Sequence, residues 1–153
     1  PEFTTVNLKE ICEDVCQRLQ PQADKAGVSL NVNCANLSVH GIPKILEEIV
    51  LNLVDNAIKY NTSNGSVGVT LKSSDNRVDL SVSDTGIGIS DEHVSRVFER
   101  FYRVDRSRNK QISGTGLGLS IVKHSAETLG AAVQLQSKIG IGTTVTISFP
   151  AID

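Results

Sequence analysis

Methionine is absent from the 153 residues, so the chain as it stands does not open at a native initiator and is expected to be a fragment or a processed product. The opening Pro1-Glu2-Phe3 reads as a cloning scar, because Glu-Phe is what a common restriction site encodes, which leaves 4–153 as the expected domain. Also missing is any apolar run near the roughly 20 residues needed to cross a bilayer, or a basic segment leading into an apolar one of the secretory kind. A soluble domain without membrane contact is therefore expected. No sign of charge dominates: 15 Lys and Arg stand against 17 Asp and Glu, so the overall field recommends neither nucleic acid nor an anionic membrane as a partner. Cysteine is sparse, and Cys12, Cys16 and Cys34 lack the paired spacing of zinc sites, which points to buried or inert thiols in a reducing compartment. The Gly-Lys-Ser/Thr of a P-loop occurs nowhere. What is present, 39% hydrophobic residues and 12 glycines, is the composition of one folded domain with a two-layer core.

Periodicity supplies the elements. Leu8, Ile11, Cys12, Val15, Cys16 and Leu19 recur at helical spacing from Asn7 to Ala26, with Pro21 as a kink and Gly27 as the stop. Val28, Leu30 and Val32 alternate as a strand, a turn follows near His40-Gly41, and a second helix carries Ile42, Ile45, Leu46, Ile49, Val50, Leu53, Val54 and Ala57 to about Tyr60. The alternating runs Val67/Val69/Leu71 and Val78/Leu80/Val82 form a hairpin across Ser73-Ser74-Asp75-Asn76. A short helix spans about Asp91–Phe98, Gly116 opens another that ends at Gly130, and Val133/Leu135 and Val145/Ile147/Phe149 close the chain as strands. This order predicts an α+β two-layer sandwich, a mixed and mostly antiparallel sheet with helices on one face.

Several residues resist a purely structural reading. Glu48, Asn52, Asn56 and Lys59 fall within an arc of about 80° beside the apolar stripe of the second helix. Asn is a poor helix former, so two of them one turn apart ask for a reason, although a solvated face would also account for them. Asp84 continues the parity of Val78, Leu80 and Val82, which aims a carboxylate at the core just before Thr85-Gly86-Ile87-Gly88. Such a group needs a ligand amine or an internal donor, and capping of the glycine turn is the plainer alternative. Gly114-Thr115-Gly116-Leu117-Gly118-Leu119 at a helix mouth suits an anion, since glycines admit backbone N–H groups and the helix start adds partial positive charge. Between Glu99 and Ser113 five basic side chains, Arg100, Arg103, Arg106, Arg108 and Lys110, face two acidic ones, with Phe101 and Tyr102 alongside. That mixture suits a polyphosphate, stacked bases or a solvated loop.

Taken together these stretches resemble the ATP-binding catalytic domain of bacterial two-component sensor histidine kinases. Leu51-Asn52-Leu53-Val54-Asp55-Asn56-Ala57-Ile58-Lys59-Tyr60 is similar to that family's N box, Asp84-Thr85-Gly86-Ile87-Gly88 to its first glycine box and Val97-Phe98-Glu99-Arg100-Phe101-Tyr102-Arg103 to its phenylalanine box. Gly114–Leu119 resembles the second glycine box and Gly140-Ile141-Gly142-Thr143 the third, all in the family's order.

The resemblance implies the Bergerat ATP-binding fold, with a lid at about Tyr102–Ser113. It gives Asp84 the adenine amine, with Gly86 and Gly88 beside it and Tyr60, Ile89 and Thr143 bordering the base. It gives Asn56 an amide oxygen for Mg²⁺, Asn52 a neighbouring or water-mediated place, and Lys59 and Arg103 the phosphates. Tyr102, Gly114, Thr115, Gly116, Leu117, Gly118 and Leu119 complete the nucleotide-binding set, and Asn52, Asn56, Lys59 and Arg103 form the implied catalytic group. ATP and Mg²⁺ are the implied cofactors. The hydrolases of the same fold place a glutamate four residues before the magnesium asparagine, where this chain has Asn52, and an amide cannot act as a general base near neutral pH. Transfer to another nucleophile is thus favoured over hydrolysis. A serine kinase of the anti-sigma type, a nucleotide sensor and an RNA-binding module remain alternatives. Phosphoacceptor histidines of the family are followed by an acidic residue, whereas His40 precedes Gly41, His93 precedes Val94 and His124 precedes Ser125. The implied partners are therefore a separate dimerisation domain carrying the acceptor histidine and, downstream, a response regulator. The implied setting is the cytoplasmic part of a membrane-anchored sensor.

Overall fold

A computed structural model describes residues 2–94, 96–98 and 118–152. In chain order its elements are β1 (Thr4–Asn7), α1 (Leu8–Ala26), β2 (Ser29–Cys34), β3 (Ser38–Gly41), α2 (Pro43–Lys59), β4 (Ser66–Ser74), β5 (Arg77–Asp84), α3 (Asp91–Val94), α4 (Gly118–Thr128), β6 (Ala132–Lys138) and β7 (Gly142–Pro150). Five strands form one sheet in the order β2-β4-β5-β7-β6, with β2 parallel to β4 and every other pairing antiparallel. This is the expected mixed, mostly antiparallel sheet. The helices α1, α2 and α4 pack side by side on one face of it, with α2 in the middle.

Local chemistry accounts for the boundaries. The side chain of Asn7 accepts from Glu10 N at 3.0 Å to start α1, and Gly27, at φ 73°, ends it while Val28 N reaches back to the Ala23 carbonyl at 2.9 Å. The helix runs through Pro21 to Ala26. Pro43 sits in the first turn of α2, where a missing N–H removes no helical bond. The β4–β5 hairpin turns at Asp75 and Asn76, with φ of 47° and 62°, the left-handed pair that a tight two-residue turn requires.

Sequence periodicity missed β1 and β3, which pair antiparallel with Val6 opposite Val39, both buried. The segment read as a turn at His40-Gly41 is thus the end of a strand. Each of these strands is four residues long, and the pairing joins segments more than thirty residues apart, so no local period announces it. The helix expected over Asp91–Phe98 is a single turn, Asp91–Val94.

The sheet is one-sided. Val67, Val69, Leu71, Val78, Leu80, Val82, Val145, Ile147 and Phe149 are buried beneath the helices. Alternate positions on the other face pair hydroxyls across strands, Ser81 with Thr146 at 2.9 Å and Ser83 with Thr144 at 2.8 Å, while Arg77 donates to both the hydroxyl and the carbonyl of Ser148.

All three cysteines are free; Cys12 and Cys16 are buried and Cys34 is half-buried. Burial pushes the Cys16 thiol up to about 11, whereas a hydrogen bond from Cys12 holds Cys34 below the ordinary thiol value against the opposing effect of burial. Brief treatment of the native protein with iodoacetamide should therefore label Cys34 first, read by peptide mass spectrometry. Labelling of Cys12 or Cys16 ahead of Cys34 would contradict this packing.

Candidate functional site

Three core-facing rows of the sheet end in polar residues on one line. Asp84 continues the buried face of β5, Thr143 that of β7 and Ser137 that of β6, and the register sets Asp84 opposite Thr143 and Thr143 opposite Ser137. A hydrogen-bonded strip follows. Asp84 Oδ1 accepts from Gly86 N at 2.8 Å and from Thr143 N at 3.3 Å. Thr143 Oγ1 lies 2.7 Å from Ser137 Oγ, which accepts from Ile89 N at 2.7 Å and donates to the Gly142 carbonyl at 3.1 Å. The capping reading of Asp84 is realised: one oxygen caps the glycine turn, and Oδ2 has no partner among the described residues. Burial raises the Asp84 carboxyl above the ordinary carboxylate range, and the two backbone N–H groups pull against that rise.

The loop after β5 is held from two sides. Asn61 donates to the Ser66 carbonyl at 2.9 Å, Thr85 exchanges backbone and hydroxyl bonds with Ser66, and Ile87 N reaches the Tyr60 carbonyl at 3.2 Å. From the other side Gly140 N donates to the Ile87 carbonyl at 2.8 Å. Gly86 and Gly88 are explained by this packing alone. A Cβ on Gly86 would collide with the Tyr60 carbonyl, and Gly88, at φ 73°, faces the Lys138 carbonyl where a Cβ has no room.

The flank of α2 forms a second wall. Asn52 Nδ2 donates to the Glu48 carbonyl one turn back at 2.8 Å. Because a carbonyl only accepts, the nitrogen must face it and the amide oxygen of Asn52 is left for another partner. Asn56 lies against the start of α4, so close that a Cβ on Gly118 would stand 2.9 Å from its Nδ2. Lys59 forms an ion pair with Asp55 at 2.9 Å, and Asp55 also accepts from Gln22 of α1 at 2.8 Å. Glu48 itself is exposed.

The structure thus gathers Tyr60, Asp84, Gly86, Gly88, Ile89 and Thr143 in one cluster and sets Asn56 against Gly118 at the start of α4, where Leu119 follows, while Asn52 bonds to its own helix and Lys59 to Asp55. Tyr102, Arg103, Gly114, Thr115, Gly116 and Leu117, with the lid and most of the phenylalanine box, lie outside the described residues. Among the described residues no cluster of three His, Cys, Asp or Glu could hold a metal by itself. Sequence reasoning missed Ser137, Asn61 and Asp55. Ser137 carried a usable signal, since it continues the parity of Val133 and Leu135 as Asp84 does that of Val82.

The chain belongs to the family of histidine kinase-, DNA gyrase B- and HSP90-like ATPases, which matches residues 41–153. It is 36% identical over 153 residues to the sensor-like histidine kinase SenX3 of Mycobacterium tuberculosis, covering 99% of this chain and 37% of that protein. It is 38% identical over 148 residues to the sensor histidine kinase YkoH of Bacillus subtilis, covering 97% of this chain and 32% of that one. The chain therefore spans about a third of the length of these curated relatives. Among solved structures, a mycobacterial sensor histidine kinase MprB superposes with a TM-score of 0.85 at 29% identity over 97% of both chains. The catalytic domain of histidine kinase ThkA gives 0.85 at 25% identity, over 99% of this chain and 97% of that one. No described helix is long and apolar enough to cross a membrane.

Proposed function

We propose that the chain binds ATP with Mg²⁺ and passes the γ-phosphoryl group to a histidine on a separate dimerisation domain, as the catalytic part of a cytoplasmic signalling module whose output is read by a response regulator. The carrying observation is Asp84 Oδ2, a half-buried acceptor without a partner among the described residues, beside a glycine turn held on both sides. An exocyclic amine satisfies such an oxygen, and the Gly86–Ile89 turn and Thr143 are the groups that would border an adenine ring held there. The crystal structure of full-length ShkA, 27% identical to this chain over 32% of its own length, is a complex with AMPPNP, which supports an adenine nucleotide here.

The donor set suits the remaining groups. Asn52 and Asn56 offer amide oxygens to a hard cation that keeps several waters, so they are the residues that would hold Mg²⁺. When bound, the metal offsets charge on the phosphates as the γ-phosphoryl group departs. Lys59 and Arg103 are the cations assigned to the phosphates, with Asp55 fixing Lys59 beforehand. Asn52 binds its own helix and has no basic atom near neutral pH, so it cannot activate water; Glu48 is exposed a turn farther back. Transfer is therefore preferred over hydrolysis.

Labelled ATP should leave the chain by itself essentially unmarked, since neither His40, His93 nor His124 has an acidic neighbour following it. Adding a histidine-bearing dimerisation domain from a related sensor kinase should produce acid-labile label on that domain. Rapid phosphate release that survives Asn52→Ala and Lys59→Ala would point to a hydrolase instead.

A further inference from the structure

The hydroxyl of Ser137 has three polar neighbours. It carries one proton and two lone pairs. The Ile89 N–H, at 2.7 Å, can only donate and occupies a lone pair. The Gly142 carbonyl, at 3.1 Å, can only accept, and it competes with Thr143 Oγ1, at 2.7 Å, for the single Ser137 proton. With that proton on Gly142, the one role of Thr143 toward Ser137 is to donate its own. In that arrangement Thr143 has lone pairs alone to offer anything on its open side. Its register partner Asp84 contributes a carboxylate oxygen with no donor among the described residues. Two adjacent groups at the end of the core then both accept when Asp84 is ionised.

We propose that Ser137 gives its proton to the Gly142 carbonyl and is thereby a positioning residue that locks Thr143 as an acceptor and makes the site select a 6-amino purine over a 6-oxo purine. The proposal rests on the nucleotide reading of Asp84 given above. An exocyclic amine brings N–H donors to a pair of acceptors, whereas an exocyclic carbonyl brings lone pairs against lone pairs. Without the Ser137 hydroxyl, Thr143 is free to rotate and present its proton to a carbonyl. The discrimination then rests on Asp84 by itself.

The test compares ATP with ITP, which carries a 6-oxo group in place of the amine, by titration calorimetry on the parent protein, Ser137→Ala and Ser137→Thr. The parent should favour ATP. In Ser137→Ala the ATP-to-ITP affinity ratio should fall about tenfold, the scale of one hydrogen bond gained or lost at a partly buried group. Ser137→Thr restores a hydroxyl on a strand-compatible residue and should restore the ratio. Taking the ratio within each variant removes any general loosening of the fold, which weakens both nucleotides alike. If Ser137→Ala does not fold, Thr143→Val decides, because it removes the acceptor itself and should give the same fall. A parent that binds ATP and ITP equally overturns the Asp84 reading and this inference with it. A parent that discriminates, beside a folded Ser137→Ala or Thr143→Val protein that discriminates equally well, overturns this inference alone.

Discussion

Asp84→Asn should weaken ATP binding by about 1–3 kcal/mol, roughly fivefold to a hundredfold or more, the scale of mismatching a buried polar group. It should not weaken the empty fold at neutral pH. The amide oxygen of Asn can still accept from Gly86 N and Thr143 N, while the nitrogen that replaces Oδ2 faces the place where a ligand amine would donate. Burial raises the Asp84 carboxyl, so this group contributes stability that is fully present below its ordinary value and is lost as pH rises through the raised one. Above that raised value the parent carries a half-buried carboxylate that the variant lacks. Relative to Asp84→Asn, the parent should gain stability as pH falls through that raised value, while its ATP affinity declines because protonated Oδ2 donates where it must accept. Calorimetry and thermal melts across that window, on both proteins, check each half. A variant that binds ATP as the parent does removes Asp84 from the site.

A second large effect is expected from Asn56→Ala, which should abolish the Mg²⁺-dependent part of ATP binding, about tenfold or more for an interaction involving a charged group. Gly118→Ala should reproduce much of this loss without touching Asn56 directly. A Cβ at Gly118 meets the amide end of Asn56 at 2.9 Å, and that end is the movable part of the pair, so the side chain shifts and the fold does not. Thermal-shift titrations of ATP with and without Mg²⁺ separate the terms. If either variant keeps the full metal-dependent shift, the amide is not a metal ligand.

What could be read from the sequence depended on whether the information was local. Asp84 stood out because a charge at a core-parity position breaks a period of two, and the structure keeps it on that face. Ser137 broke the same period in β6 but passed unnoticed, since a serine in a strand is unremarkable until its neighbours are known. Asp55 was hidden for another reason: its partner Gln22 lies on α1, thirty-three positions away. The β1–β3 pair and the parallel β2–β4 pairing are likewise non-local, and periodicity along one strand does not name the strand beside it. The glycines of the first box were noticed as ligand-facing, yet the carbonyls of Tyr60 and Lys138 require them at Gly86 and Gly88 before any ligand arrives.

The polar line Asp84–Thr143–Ser137 is also where the apolar rows of β5, β7 and β6 stop, beside the buried Val67 of β4. A planar base seated there would act as the next layer of the interior, supplied from solution instead of by the chain. A ligand that binds only the folded form at a hundred times its dissociation constant adds about 2.7 kcal/mol of stability. The heat tolerance of the domain, and its lifetime against proteases, would then rise and fall with the nucleotide supply around it.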